Sequence, residues 1–276
     1  MVWFKSHDIN YKQLSTWIRK KTLKMVFSAN ASHIGSALSI VDILTVLYFK
    51  ILSINPKNPW SEDRDRFILS KGHGCSSLYA TLALKGFFSK EILNTFSLNG
   101  GILPAMITLN CVPGAEVSTG SLGHGFSMGI GMAIAAKHDK RNYRTFILLG
   151  DGECNEGSTW EAAMFASHHK LNNLIVIIDY NKLQAFGRIE EIIDLEPFKD
   201  KWNAFGWAVK EIDGHNFSEI EKTLSQVPFI KNKPSIVIAH TIKGKGVSYM
   251  ENKLEWHYKS PNKEQLEVAY KELDSI

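Results

Sequence analysis

An aspartate and an asparagine stand thirty positions apart in this sequence, each just past an apolar run. Thr145-Phe146-Ile147-Leu148-Leu149 runs into Gly150-Asp151-Gly152, and Ile177-Ile178-Asp179-Tyr180 runs into Asn181-Lys182-Leu183. A continuous apolar run stopped by a polar turn reads as a strand of a parallel sheet, and ligands of open α/β sheets bind where such strands end. Both side chains offer hard oxygens. A small divalent cation such as Mg²⁺ prefers octahedral oxygen and keeps places for phosphate and water, so the pair suits a metal that holds a phosphorylated ligand. Gly150 and Gly152 allow the backbone to approach an anion closely. Helical spacing over 156–171, with Trp160, Ala163, Met164 and Leu171 on one side, turns a helix N-terminus toward that anion. The same letters also suit plain turn chemistry, because Asp-Gly and Asn are ordinary turn and capping residues.

Strands and helices alternate around these groups. Helical patterns cover about 8–29 and 40–52, the second ended by Asn55-Pro56-Lys57-Asn58-Pro59. A short strand over 67–69 delivers Ser70-Lys71-Gly72-His73-Gly74, and helical patterns then run to about Phe96. An irregular segment, 98–117, precedes a glycine-rich helix over 122–138, whose Gly123, Gly125, Gly129 and Gly131 permit close approach to a neighbouring helix or a cofactor. Further strands are predicted at about 145–149, 174–179 and 235–240, with another candidate at 207–212. This alternation predicts an α/β fold: a doubly wound, mostly parallel sheet with helices on both faces. No internal repeat, low-complexity tract or long linker divides the chain, so one domain over 1–276 is the economical organisation.

Bulk properties exclude several classes. A hydrophobic content of 44% in 276 residues is ample for a buried core. The net charge of +4 arises from 32 basic and 28 acidic residues spread along the chain, and the one dense basic cluster, Arg19-Lys20-Lys21 with Lys24, reads as a solvated helix face. Nucleic acid is therefore not an expected partner. Cys75, Cys111 and Cys154 are too scattered for a disulfide framework or a zinc site, which points to a reducing cytoplasm. No apolar stretch approaches the roughly 20 residues that span a bilayer, so no membrane association is expected.

The motifs Ser32-His33-Ile34-Gly35-Ser36, Ser70-Lys71-Gly72-His73-Gly74, Ser118-Thr119-Gly120-Ser121-Leu122-Gly123, Gly150-Asp151-Gly152-Glu153, Glu156-Gly157-Ser158-Thr159-Trp160-Glu161-Ala162, Asp213-Gly214-His215, Thr241-Ile242-Lys243-Gly244-Lys245-Gly246 and Glu255-Trp256-His257 together span nearly the whole chain. This set resembles the N-terminal, thiamine diphosphate-binding half of transketolase. A complete transketolase is more than twice this length, so the resemblance is to the N-terminal subunit of a split enzyme.

The resemblance implies thiamine diphosphate and Mg²⁺ as cofactors. Asp151, the Asn181 side chain and the Leu183 carbonyl would hold the metal, and Gly152 would offer its amide to the diphosphate. Glu153, Asn181, Ser36, His73, Lys243 and His257 match cofactor-side positions, and Gly120-Ser121-Leu122 match the turn that lines the cofactor. A polyanion beside buried surface needs such cation, amide, imidazole and ammonium donors to offset its desolvation. His33, His73 and His257 match catalytic histidines, His33 and His257 facing the sugar, where imidazole can move protons near neutral pH. Glu156 matches an acidic position between paired halves, although a helix N-terminal glutamate is also favoured by the helix dipole. His124 lies close to the cofactor turn, whereas His7, His138, His168, His169 and His240 read as surface or core residues, and Cys154 as packing.

The implied activity is transfer of a two-carbon ketol unit between sugars in carbohydrate metabolism, by a heterotetramer with two copies of each subunit. The partner is a separate C-terminal subunit with a pyrimidine-binding domain, which supplies the glutamate that activates the cofactor. Alternatives are another thiamine diphosphate carboligase or 2-oxo acid decarboxylating subunit, and a catalytically silent assembly subunit. One departure bears on the sugar: the family's Gly-His-Pro, whose histidine meets the donor, has no counterpart in Gly100-Gly101-Ile102-Leu103-Pro104-Ala105-Met106 before Pro113-Gly114-Ala115-Glu116. Ile102 or Leu103 is expected in its place.

Overall fold

The computed structural model describes residues 9–275. His7 and the first residue of the helix expected over 8–29 lie outside them. Five strands form one sheet: β1 (Arg66–Leu69), β2 (Thr145–Gly150), β3 (Leu174–Tyr180), β4 (Ala208–Asp213) and β5 (Ser235–His240), in the order β1-β2-β3-β5-β4. Every pairing is parallel. All seven residues of β3 are buried, as a strand covered on both faces requires.

Alternation along the strands divides the core in two. Phe146, Leu148, Ile175, Ile177, Val237 and Ala239 point into one cluster. It is closed by α1 (Tyr11–Ala29), α2 (Ile34–Leu38), α3 (Val41–Val46) and α4 (Cys75–Lys85). Ile147, Leu149, Val176, Ile178, Ile236 and Ile238 point to the opposite face. There α5 (Gly125–His138), α6 (Gly157–His168), the single turn α7 (Ile189–Ile192) and α8 (Phe198–Ala204) cover them, with Trp202 fully buried. The remaining helices, α9 (Phe217–Leu224) and α10 (Lys263–Ser275), complete the first layer. The predicted doubly wound arrangement is thus the one observed.

Several local expectations change. The helix expected over 40–52 is α3 followed by a π-helical turn, Leu47–Ile51. The glycines in and just before α5 take different neighbours: a Cβ on Gly129 would lie 2.3 Å from Ile147 of the sheet, one on Gly125 2.4 Å from the Ser70 hydroxyl after β1, and one on Gly123 2.4 Å from Ser158 of α6, whereas Gly131 has nothing within 4 Å. Met164, expected on the apolar side of its helix, is exposed. The 98–117 segment has neither helix nor strand.

Arg19 departs most from its predicted role. It is only 6% exposed, and its guanidinium makes a two-pronged pair with Asp42 at 2.9 and 2.7 Å while its Nε donates to the Lys245 carbonyl at 3.0 Å. Asp42 also meets His215 Nδ1 at 2.8 Å, and His215 Nε2 accepts from the Ile242 amide at 2.9 Å. This chain of contacts ties α1 and α3 to the loops after β4 and β5. A basic residue in a helical charge run reads as solvated unless its buried partner, 23 positions away, is known.

Burial raises the Asp42 pKa, but Arg19 and His215 outweigh it and hold the carboxyl down to about 2, below its ordinary 3.8. An acid whose folded pKa is depressed contributes stability above its unfolded pKa and loses it as pH falls through the folded one. About 2 kcal/mol should therefore disappear between roughly pH 4 and pH 2. Asp42→Ala, which leaves Arg19 buried and unpaired, should cost about 3–5 kcal/mol in urea unfolding at pH 7 and flatten that acid limb. A loss under about 1 kcal/mol would contradict the buried-pair assignment.

Candidate active site

Parallel register brings the two predicted strand ends together. Gly150 of β2 is paired with Asp179 of β3, so Asp151 and Asn181 emerge side by side at the carboxyl edge of the sheet. Asp151 is buried and accepts hydrogen bonds from the Gly152 amide at 2.7 Å and the Lys182 amide at 2.6 Å. Asn181 accepts from the Leu183 amide at 3.1 Å and donates through Nδ2 to Asp179 at 3.0 Å, which turns its oxygen away from that carboxylate. Burial, with Asp179 as a second negative charge, pushes Asp151 up to about 6. It has no ion-pair partner among the described residues. A buried carboxylate without a counter-ion calls for a cation.

The donor set fits a hard one. Among the described residues no group of three or more His, Cys, Asp or Glu side chains could hold a metal. Asp151, Asn181 and the Leu183 carbonyl instead make up one carboxylate, one amide and one backbone oxygen. Such a set leaves much of an octahedral shell to ligand oxygens and water, as suits Mg²⁺ beside a diphosphate.

The neighbouring strand ends deliver the basic groups. After β1, Lys71 is 1% exposed and donates to Asp179 at 2.5 Å and to the Ser36 carbonyl at 3.1 Å. After β5, the equally buried Lys243 donates to the carbonyls of Leu183 and Gln184 at 2.9 and 3.1 Å, and lies 3.0 Å from His257 Nδ1. Burial and the Lys71 charge lower the Lys243 ammonium to about 8.

Three imidazoles close the arrangement. The rings of His33 and His73 lie 5.2 Å apart, His33 and His257 5.0 Å, and His73 and His257 5.8 Å. His33 sits in the left-handed region at φ 72°, and its amide donates to the His257 carbonyl at 2.8 Å, which fixes the pair. His73 Nε2 is 2.9 Å from the Ser36 hydroxyl. Burial first, then the nearby lysines, lowers all three, His257 to about 3. The imidazoles are therefore neutral at pH 7, and His257, accepting from Lys243 at Nδ1, keeps its proton on Nε2.

Other predicted residues take different places. Glu153 is fully buried and directs its carboxylate into the scaffold: it accepts from Ser70, from the Gly123 amide at 2.9 Å and from the Gly150 amide at 3.4 Å. These bonds brace the turn before α5 against β2. Glu156 is exposed at the start of α6. Within the turn Gly120 and Leu122 are half-buried and Ser121 is exposed, and the ring of His124, also exposed, lies 3.0 Å from the Leu122 carbonyl through Nδ1. Cys154 is fully buried, and burial pushes its thiol well up.

The loop substitution also needs correction. Leu103 is core, 1% exposed, and Ile102 is turned to solvent with its amide on Thr95. The Met106 side chain instead lies against Gly120. Sequence reasoning also missed Lys71 and Asp179 as a pair, although a carboxylate inside the apolar run of β3 was a usable signal.

A parallel sheet whose carboxyl edge gathers hard oxygen donors, buried ammonium groups and neutral imidazoles defines an α/β domain for a phosphorylated cofactor. The thiamine diphosphate-binding domain of transketolase matches residues 10–273, and the chain belongs to the transketolase family. It is 48% identical over 255 residues to an apulose-4-phosphate transketolase subunit of Phocaeicola vulgatus, covering 92% of this chain and 90% of that protein. It is 44% identical to a 6-deoxy-6-sulfo-D-fructose transketolase subunit of a Clostridium species, covering 97% of each. The solved transketolase of Campylobacter jejuni superposes with a TM-score of 0.90 at 32% identity, over 97% of this chain but 43% of that one.

Asp151 provides a test with two opposed readouts. Its folded pKa lies above 3.8, so the ionised form weakens the fold above about pH 6, and the penalty fades as pH falls toward 4. Asp151→Asn removes that charge at the cost of one accepted hydrogen bond. The metal-free variant should gain roughly 1–2 kcal/mol at pH 7.5, about 3–6 °C in melting temperature. It should also lose the further rise that Mg²⁺ with thiamine diphosphate gives the wild type, as should Asn181→Ala. Retention of that rise by either variant would remove the metal-site assignment.

Proposed function

We propose that this chain acts as the N-terminal subunit of a two-subunit transketolase, moving a two-carbon ketol unit from a ketose to an aldose. The observation that supports this best is the convergence, at one sheet edge, of the Asp151–Asn181–Leu183 oxygens with the neutral His33, His73 and His257 around Lys243. Asp151, Asn181 and the Leu183 carbonyl would hold Mg²⁺, with the Gly152 amide, Ser36 and Lys243 toward the diphosphate. When bound, thiamine diphosphate supplies the electron sink for breaking a carbon–carbon bond beside a carbonyl.

This chain's own contribution is binding and proton handling. His33 and His257, neutral and held together by the bond from the His33 amide to the His257 carbonyl, accept or donate at sugar hydroxyls without bringing charge. Ser36 orients His73. The partner would be a separate C-terminal subunit carrying the pyrimidine-binding domain and the activating glutamate, with two copies of each chain in a cytoplasmic assembly and the exposed Glu156 on the contact side. Sugar donors and acceptors are the substrates.

The isolated chain should show no ketol transfer and gain it on mixing with that partner, as a coupled assay of aldose product would record. Robust turnover by the single purified chain would refute the two-subunit reading. At 100 times its dissociation constant the cofactor should add about 2.7 kcal/mol, roughly 5–10 °C in melting temperature, with the full rise only when both subunits are present.

A further inference from the structure

The turn Asp213-Gly214-His215 follows β4 and adds no group to the metal and imidazole cluster, yet each of its residues is fixed. Asp213 accepts from the His215 amide through Oδ1 at 2.8 Å, and the Gly214 amide donates to the His240 carbonyl at 2.9 Å. A Cβ on Gly214 would stand 2.4 Å from the Thr241 methyl, so glycine lets this turn lie directly on the loop after β5. His215 then grips that loop. Its side chain is 12% exposed, and its Nε2 accepts from the Ile242 amide at 2.9 Å. A ring nitrogen that accepts from an amide carries no proton, so the ring's proton is on Nδ1, where it donates to Asp42 at 2.8 Å.

The same Asp42 carboxylate holds the Arg19 guanidinium, whose Nε donates to the Lys245 carbonyl at 3.0 Å. One buried carboxylate therefore fixes the loop at two points, through His215 at Ile242 and through Arg19 at Lys245. Between those points lies Lys243. Other bonds set the loop's course: the Gly244 amide on the Gly35 carbonyl at 2.9 Å, the Asn252 amide on the Lys243 carbonyl at 2.9 Å, and the Thr241 hydroxyl on Asp179. The Lys243 side chain is 1% exposed, and its ammonium spans the Leu183 and Gln184 carbonyls and His257 Nδ1 within 3.1 Å. A buried ammonium shared among three acceptors tolerates little movement of its backbone.

We infer that His215 is a positioning residue for Lys243: together with Asp42 and Arg19 it clamps the backbone on both sides of that lysine and so fixes the ammonium that faces the cofactor's diphosphate. The inference rests on the placement of Lys243 in the function proposed above. His215 itself touches no ligand in this scheme. Loss of its Nε2 acceptor leaves the Ile242 amide without its partner, and a buried amide moves toward whatever acceptor or water it can reach, taking Lys243 with it.

The test uses the chain assembled with its partner subunit and Mg²⁺, and reads the dissociation constant of thiamine diphosphate by fluorescence titration alongside amide hydrogen exchange. His215→Leu should weaken cofactor binding about 10- to 100-fold, the loss of one charge-assisted bond, while the Ile242 amide exchanges faster and the amides of β2 and β3 stay protected. His215→Gln, whose amide group can donate to Asp42 and accept from Ile242, should stay within about threefold of wild type. In a Lys243→Met background His215→Leu should change the constant by less than about threefold, because the clamp has no ammonium left to place. An undiminished effect in that background, or wild-type affinity with the Ile242 amide freed, overturns the positioning role and leaves the transketolase reading standing. If Lys243→Met alone binds the cofactor as tightly as wild type, the proposed site is wrong at Lys243 and this inference falls with it. Should His215→Leu lose the protection of β2 and β3, Arg19→Lys decides: it keeps a cation beside Asp42 but gives up the Lys245 contact, so it should still weaken binding in a Lys243-dependent way, and unchanged binding would overturn the clamp.

Discussion

The Asp179 carboxylate is the constraint around which this structure is arranged. It sits with no exposed surface at the end of the central strand, where an unpaired charge would cost far more than a single hydrogen bond returns. Its oxygens are satisfied by Lys71 at 2.5 Å, Ser39 at 2.6 Å, Asn181 at 3.0 Å and the Thr241 hydroxyl. Burial raises its pKa, but Lys71 and these hydroxyl donors carry it below its ordinary value. The partners come from the end of α2, the turn after β1, the turn after β3 and the loop after β5. One buried charge therefore sets the relative positions of four segments, and each of them brings a site residue with it: Ser36, His73, Asn181 and Lys243.

Charge is balanced unevenly across this edge, and the imbalance is informative. Lys71 and Asp179 neutralise one another directly. Asp151 and Lys243 do not: each is buried, and among the described residues neither has an opposite charge within ion-pair distance. Asp151 is raised to about 6 and Lys243 lowered to about 8, each toward its neutral form, because each carries its desolvation largely uncompensated. A metal–diphosphate pair would supply the cation one lacks and the anion the other lacks. The adjacent imidazoles, kept neutral by burial and the same lysines, are left to hydrogen-bond uncharged hydroxyls.

Much of the fold was legible in the letters. The apolar runs of β2 and β3 announce strands covered on both faces, because no exposed residue interrupts them, and their polar ends announce the edge where a ligand sits. Asp151, Asn181 and the three histidines could be placed from residue type and motif. Arg19, Glu153 and Met106 could not. Arg19 lies in a run of bases and reads as solvated, Glu153 follows Gly150-Asp151-Gly152 and reads as a ligand contact, and Met106 is one of several apolar residues in a segment without periodicity.

Local sequence determined which segments become strands and which turns carry oxygen donors, since period, glycine and short-range hydrogen bonding act within a few residues. Tertiary structure alone decided the direction of the long side chains. Arg19 turned inward because Asp42 and the Lys245 carbonyl wait there, and Glu153 turned into the scaffold because Ser70 and the Gly123 amide take its oxygens. Met106, rather than Ile102 or Leu103, came to lie on Gly120 because the Cys75 and Gly72 bonds set the register of its loop. Those partners lie tens to hundreds of residues away, and a buried polar group follows its partner rather than its neighbours in the chain.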